Sequence, residues 1–224
     1  MKIICCTQRS IQTLALIYLL GHKNIFFDHI FFLPIKNKLL KLRNEEKNSW
    51  KILKHQCELL NIPFSYLTNI NNKSFLNKIN KIKPDCMISF VADTIISKKV
   101  ISKFKKGIFS WHGGILPDYR GFNSTAWSIL NGSKKVGISL QKITDGVDTG
   151  NIVYCKKINI NSGKTIFELD KKLYYSFKLN FFAKLIKNLK NKKKINFLIK
   201  KKEGKQYFSM HKKLIEIVNT KLKN

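Results

Sequence analysis

Acid is what this sequence is shortest of. Its 224 residues hold 13 Asp and Glu against 43 Lys and Arg, a formal net charge of +30. A basic surface concentrates phosphate-bearing ligands and points toward polyanionic partners. Here Lys, Asn, Ile, Phe and Tyr are over-used together, so the charge reads as compositional drift and carries little weight by itself. Cysteine is scarce and unpaired in pattern: Cys5, Cys6, Cys57, Cys86 and Cys155 form no CxxC spacing and no cluster with histidine. An odd count argues against a disulfide framework and leads us to expect a reducing, cytosolic setting. Long apolar runs are also missing. Leu14–Leu20 is the one candidate, seven apolar residues where a bilayer span needs about 20, and no small-residue cleavage site follows it. We read it as a buried helix. There is no internal repeat, and an apolar content of 44% with 12% aromatics describes a globular chain with one sizeable core.

Along the chain, strand-like and helix-like stretches alternate. Lys2–Cys6 suits a buried strand, and Ser10 can cap a helix running to Leu20 and stopping at Gly21. Ile25–Leu33, Pro63–Leu67 and Cys86–Val91 read as further strands; Asn48–Leu60, Lys73–Ile82 and Ser97–Phe104 read as helices. Gly107–Trp111 follows as a strand and Ser124–Asn131 as a helix stopping at Gly132. Val136–Lys142 and Asn151–Ile160 are strands again. The alternation predicts an α/β fold with a mostly parallel twisted sheet and flanking helices. Thr165–Lys190 carries an apolar stripe at Ile166, Leu169, Leu173, Phe177, Phe181, Leu185 and Leu189 under a lysine-covered face. We read it as a docking helix, or the seam of a homodimer, in preference to a nucleic-acid arm. From Lys156 on, 20 Lys meet four acids. The tail offers strand-like Ile195–Ile199, a turn at Gly204, Tyr207-Phe208 and a helix from about Lys212 to Leu222. We therefore divide the chain into a main domain, 1–190, and a short C-terminal extension, 191–224.

Chemistry gathers in residues 107–150, which hold most of the 11 glycines, three of the 13 acids and one of the five histidines. His112 stands at the end of a strand in Ser110-Trp111-His112-Gly113-Gly114, where open α/β sheets place their ligand crevices. The glycines leave the backbone open to close approach. Asp148 lies in a second tight loop, Asp145-Gly146-Val147-Asp148-Thr149-Gly150. A carboxylate that holds an imidazole fixes its orientation and raises its basicity, as a proton-transfer catalyst near neutral pH requires. Spacing leaves open whether the two meet. Trp111 alternates to the opposite face of the strand, toward the core.

His-Gly-Gly-Ile-Leu-Pro-Asp-Tyr-Arg-Gly from His112, then Ala126–Gly132, then Val136–Leu140, then Asp145–Gly150, in that order, resemble the formyltetrahydrofolate-dependent formyltransferase family. The likeness covers about Lys2 to Ile160 and is specific from Asp85 onward. It implies a Rossmann-like sheet and transfer of a formyl group from N10-formyltetrahydrofolate to an amine, with no metal. The family's catalytic trio is Asn-x-His with a later Asp. His112 and Asp148 match two members, the histidine assisting proton transfer and the aspartate orienting it together with an ordered water; Ser110 stands where the family has Asn. Loss of a preorganised oxyanion donor costs roughly 10²–10³ in rate. Ser110 donates through altered geometry, a nearby amide such as Asn123 takes over, or the protein is slow. The resemblance also implies a folate ring against Thr94, Ile96 and the loop Asp145, Gly146, Val147. Arg120 and Asn123 are the candidates for binding the acceptor substrate, with a solvated salt bridge the alternative for Arg120.

For the acceptor, relatives acting on glycinamide ribonucleotide carry a glycine-rich loop after the first strand to cradle phosphate; here the loop is Cys6-Thr7-Gln8-Arg9-Ser10. Relatives acting on methionyl-tRNA carry a C-terminal barrel domain that residues 161–224 are too few to form. The expectation is thus a small-molecule acceptor, a dTDP- or UDP-linked amino sugar destined for surface polysaccharide (lipopolysaccharide), in a cytoplasmic protein without a membrane span or nucleic-acid partner. Two other readings stay open: a degenerate frame binding folate, nucleotide or RNA without chemistry, and a hydrolase splitting formyltetrahydrofolate with water.

Overall fold

The computed structural model describes residues 1–8, 17, 21, 24–34, 45–91, 94–174, 179–198 and 204–223. The helix expected from Ser10 to Leu20 lies outside the described residues, apart from Ile17. The chain forms two compact units, Met1–Ser110 and Trp111–Asn224.

The first unit is built on parallel strands. In chain order it contains β1 (Ile3–Gln8), β2 (His29–Leu33), α1 (Glu45–Leu59), β3 (Phe64–Tyr66), α2 (Lys73–Ile82), β4 (Cys86–Phe90), α3 (Lys98–Ile101) and the start of β5 (Gly107–His112). The strands lie in the order β3-β2-β1-β4-β5 and pair in parallel. β1 is interior, and Ile3, Ile4, Cys5 and Cys6 are all buried, which is why its sequence is an unbroken apolar run rather than an alternating one. α2 shows how sequence sets an element's limits. The Asn72 side chain accepts from Phe75 N–H at 2.8 Å, and Lys83 closes the helix in the left-handed conformation, φ 53°. Its buried face presents Phe75, Leu76 and Ile79, and Phe75 meets Phe31 of β2 edge to face at 5.0 Å. Cys5, Cys6, Cys57 and Cys86 are buried. Burial pushes the Cys57 thiol up to about 11, which suits packing rather than nucleophilic chemistry.

The second unit contains the end of β5, then β6 (Arg120–Gly121), α4 (Ser124–Leu130), β7 (Lys135–Lys142), β8 (Asn151–Asn159), α5 (Ile166–Leu173), α6 (Leu179–Lys190), β9 (Gln206–Tyr207) and α7 (Lys212–Lys221). β7 and β8 pair antiparallel along their length. Ala126 and Ile129 of α4, Val136 and Ile138 of β7, Leu169 and Leu173 of α5, Met210, and Val218 of α7 make one buried cluster. Trp111 packs on Phe181 and Phe182 of α6, its ring 5.3 Å from that of Phe182 and perpendicular to it, as strand alternation requires. The α/β, mostly parallel architecture expected from the alternation, and the Rossmann-like sheet that the resemblance implies, are observed, and no helix among the described residues is long and apolar enough to cross a membrane.

Two expectations need correction. Ile195–Ile199 is not a strand over its described part, 195–198: Leu198 N–H donates to Ile152 O at 2.8 Å, but the side chains there are exposed or half-buried, so no buried face rewards a ladder. Thr165–Lys190 is described as two helices, α5 and α6, with 175–178 outside the described residues. In α6 the buried side chains are Phe182, Leu185, Ile186 and Leu189, an i, i+3, i+4, i+7 set one position on from Phe181.

β6 and β9 were not legible as strands. They form a short parallel pair, Arg120 opposite Gln206 and Gly121 opposite Tyr207. Tyr207 stacks on Tyr119 at 5.4 Å and accepts a hydrogen bond from Asn131 Nδ2 at 2.8 Å; Trp127 Nε1 donates to Phe208 O at 2.8 Å. Gly121 makes this pairing possible, with φ 89° and an added Cβ only 2.1 Å from Tyr207 O. Gly121→Ala should therefore lose more than the roughly 1–3 kcal/mol of left-handed backbone strain and release Tyr207–Phe208 to fast amide exchange. Gly132→Ala, at φ 77° with open space around the added Cβ, should lose only the backbone part. Equal losses of thermal stability in the two variants would show that β9 does not depend on Gly121.

Candidate active site

β5 ends at His112, and the chain turns at Gly113-Gly114. Ser139 of β7 pins that turn, its Oγ donating to Gly114 O at 2.7 Å and accepting from Leu116 N–H at 3.0 Å. His112 is 7% exposed. Its Nδ1 lies 3.1 Å from Asp148 Oδ2, so the two motifs separated in sequence do meet. Its Nε2 faces the Tyr119 carbonyl oxygen and Ser124 Oγ, the latter at 3.1 Å.

Asp148 sits in the β7–β8 connection with φ 51°, a left-handed conformation that Asp adopts more readily than most residues. Oδ2 accepts from Gly121 N–H at 3.0 Å as well as facing His112, and Oδ1 accepts from Gln141 Nε2 at 2.6 Å. Burial, the largest single influence, pushes its carboxyl upward. The hydrogen bond and charge of His112, the Gly121 N–H and the Gln141 amide together outweigh it and hold the group below its ordinary 3.8. Asp148 is therefore ionised at neutral pH and able to fix the imidazole with Nδ1–H inward.

Gln141, Gly121 N–H, Ser124 and the Tyr119 carbonyl belong to this site and were missed by sequence reasoning. Gln141 had a signal: an amide closing the apolar run Val136–Leu140. The register of β7 slips between Leu140 and Gln141, and such a bulge re-aims a side chain. Gln141 thereby holds both sides of the loop, since its Oε1 accepts from Gly150 N–H at 3.1 Å. Thr144 and Thr149 share a hydroxyl hydrogen bond of 2.7 Å across the same loop, and Gly146 leaves room for it, an added Cβ standing 2.5 Å from Thr149 Oγ1.

The remaining expected residues are distributed as follows. Ser110 is buried on β5 opposite Ser89 of β4; two residues before His112, it faces the same side of the strand. Thr94 and Ile96 are in the first unit, in a segment clamped by Asn71, which donates to Ile95 O and accepts from Ser97 N–H, both at 2.8 Å. Asp145 and Gly146 are exposed and Val147 half-buried. Asn123 spends its carbonyl oxygen on Met210 N–H at 3.0 Å, leaving its NH₂ group as the part able to donate. Arg120 is half-buried, and its Nε is buried without a hydrogen-bond partner among the described residues. The described residues hold no group of three or more His, Cys, Asp or Glu placed for a metal ion.

A family profile described as formyl transferase matches residues 2–178. The chain belongs to the formyl transferase family. Among curated relatives, the bifunctional polymyxin resistance protein ArnA of Wigglesworthia glossinidia brevipalpis is 37% identical over 142 residues, 63% of this chain and 21% of that protein. A methionyl-tRNA formyltransferase of Finegoldia magna is 32% identical over 133 residues, 59% of this chain and 43% of that protein. The chain thus spans less than half the length of these family members. Among solved structures, the N-formyltransferase from Helicobacter canadensis in complex with folinic acid and dTDP-3-aminofucose superimposes with a TM-score of 0.66 at 22% identity, covering 93% of this chain and 71% of that one. At that identity the likeness is one of fold.

The hydrogen bonds around Asp148 make a measurable pH effect. A carboxylate held below its ordinary value contributes stability that is fully present above about pH 4 and is lost as pH falls through the lower folded value. Gln141→Leu removes one bond to the charged oxygen and should cost about 1–3 kcal/mol at neutral pH. In the variant, the ¹³C-detected carboxyl titration of Asp148 should move up toward the ordinary value; an unmoved titration would mean that Gln141 does not bear on this charge.

Proposed function

We propose that the chain transfers a formyl group from N10-formyltetrahydrofolate to the amino group of a nucleotide-linked amino sugar. The observation that carries this reading is the buried contact of His112 Nδ1 with the ionised Asp148, which gives the imidazole one fixed orientation and leaves Nε2 as the nitrogen that exchanges a proton. An amine that gains a carbonyl carbon must give up a proton, and a positioned imidazole taking it contributes about 10²–10⁴ in rate. Ser110, on the same face of β5, supplies a hydroxyl donor for developing negative charge, in place of the amide usual in the family. The bound folate supplies the formyl carbon. For the folate contacts the resemblance supports Thr94 and Ile96, on a segment tied to Asn71 by two hydrogen bonds, and Asp145, Gly146 and Val147, on a loop closed by its own threonines and open to solvent.

For the acceptor, Arg120 brings a guanidinium with an unsatisfied Nε, which a phosphate oxygen of a dTDP- or UDP-linked sugar would satisfy. The Asn123 amide offers a donor beside it in sequence. The likeness to the Helicobacter canadensis enzyme, whose complex holds dTDP-3-aminofucose, supports this class. The similarity to methionyl-tRNA formyltransferases and the +30 charge favour a second acceptor, methionyl-tRNA. In this reading the protein works in the cytoplasm, where both nucleotide sugars and reduced folates are found.

The test supplies N10-formyltetrahydrofolate with dTDP-4-amino-4,6-dideoxyhexose, glycinamide ribonucleotide and methionyl-tRNA in parallel. The amino sugar should be formylated, and His112→Ala should lower that rate by at least about 10²-fold. Turnover of glycinamide ribonucleotide alone, or of methionyl-tRNA alone with affinity falling steeply as salt rises, would overturn the acceptor. An amino-sugar rate unchanged by His112→Ala would overturn the mechanism.

A further inference from the structure

The outer nitrogen of His112 has two neighbours of different kinds. Nε2 faces the Tyr119 carbonyl oxygen, which can only accept a hydrogen bond, and Ser124 Oγ at 3.1 Å, which can accept or donate. Ser124 Oγ has a second partner, the Gly121 carbonyl oxygen at 3.3 Å. One hydroxyl hydrogen therefore has two alternative acceptors, Gly121 O and His112 Nε2.

The two arrangements match the two protonation states of the ring. With both nitrogens protonated, Nδ1–H donates to Asp148, Nε2–H donates to the Tyr119 carbonyl and toward Ser124 Oγ, and the Ser124 hydroxyl turns to Gly121 O. Once the Nε2 proton has left, a ring lone pair faces the lone pairs of the Tyr119 carbonyl, a repulsive contact. The Ser124 hydroxyl can then rotate and donate to Nε2, leaving Gly121 O with no loss beyond one long bond. Of the two described partners of Nε2, Ser124 is the one that can do this, because the Tyr119 carbonyl has no hydrogen to give.

We propose that Ser124 is a positioning residue for His112, a hydroxyl switch that satisfies the imidazole in both protonation states. The ring can then release and reclaim a proton without moving. The inference rests on His112 as the proton-carrying group proposed above.

Packing makes the hydroxyl hard to replace. Ser124 is 4% exposed. A Cβ on Gly114 would stand 2.6 Å from Ser124 Cβ, 2.7 Å from His112 Nε2 and 2.8 Å from Tyr119 O, so these three groups converge on the space that glycine vacates. Ser124 is also the first residue of α4, after Asn123, whose own side chain makes no capping bond; the Ser124 hydroxyl has His112 Nε2 and Gly121 O as its partners. Of the titratable groups on the described elements around the ring, Asp148 is the one paired with it. Asp170 of α5 accepts from Thr125 Oγ1 at 2.7 Å, the Tyr174 hydroxyl lies over Gly113, the Tyr119 ring stacks on Tyr207, and Arg120 sits on β6.

The experiment compares the wild-type chain with Ser124→Ala and Ser124→Cys, following the ring ¹⁵N signals of His112 against pH in the free protein and the pH dependence of kcat/KM for the amino sugar. Removing the hydroxyl disfavours the form with a bare Nε2. In Ser124→Ala the ring signals should therefore change at a pH higher by about half to one unit, the equivalent of one neutral hydrogen bond. The acid limb of the activity profile should move the same way. Ser124→Cys, with a weaker donor on the same stem, should fall between. Alanine is a good helix former, so thermal unfolding should stay within a few degrees of wild type. Ring signals that change at the same pH in all three proteins would overturn the proposal. Shifted ring signals with no formyl transfer to any amine would uphold the Ser124–His112 coupling and contradict the functional reading alone.

Discussion

The contact of His112 Nδ1 with Asp148 Oδ2, 3.1 Å long between side chains 7% and 19% exposed, sets the terms for the second unit. A buried carboxylate is costly unless several donors satisfy it, and each donor here has a structural consequence. Gly121 N–H can reach Oδ2 because β6 is held in place by pairing with β9. The Gln141 amide reaches Oδ1 because β7 slips register just before it. Asp148 itself needs a left-handed backbone, which the tight turn before Gly150 accommodates. Gly150 fits for a different reason, close backbone approach: an added Cβ there would stand 2.0 Å from Lys142 O.

On the other side of the ring, Gly114 and the pinned turn after β5 let His112, Tyr119 and Ser124 converge. The C-terminal residues 204–210 thus have a part in the site without touching the imidazole. They hold the strand whose backbone N–H holds Asp148. Met210 adds to this by donating to the Asn123 side chain, which stabilises the turn into α4 at a residue with φ 50°. A chain with scarce acid has placed one acidic side chain where three polar contacts and two glycines serve it.

Much of this was legible in the sequence. β1 and β4 were visible as apolar runs, and α2 matched its expected limits, Lys73–Ile82, because an Asn cap and an amphipathic period agree. His112 and Asp148 stood out because His, Asp and Gly are concentrated where the rest of the chain is lysine. What was not legible depended on contacts distant in sequence. A two-residue strand such as β6 or β9 has no period of its own, and its pairing is fixed by Gly121 and the aromatic stack of Tyr119, Tyr207 and Trp127. Backbone groups such as the Tyr119 carbonyl and Gly121 N–H carry no residue-type signal at all. Ser124 reads as an ordinary helix-start serine until its second bonding partner is seen. Ile195–Ile199 was misread because β-propensity without a buried face does not make a strand.

The central claim is that the charge on Asp148, not merely its shape, fixes His112 for proton transfer. Asp148→Asn isolates that charge, since Asn is nearly the same size and tolerates left-handed backbone. The deciding measurement is the single-turnover rate of formyl transfer to the amino sugar by Asp148→Asn beside wild type, with both proteins shown to be folded. The account predicts a fall of at least about 10²-fold. A rate within a few-fold of wild type would contradict it.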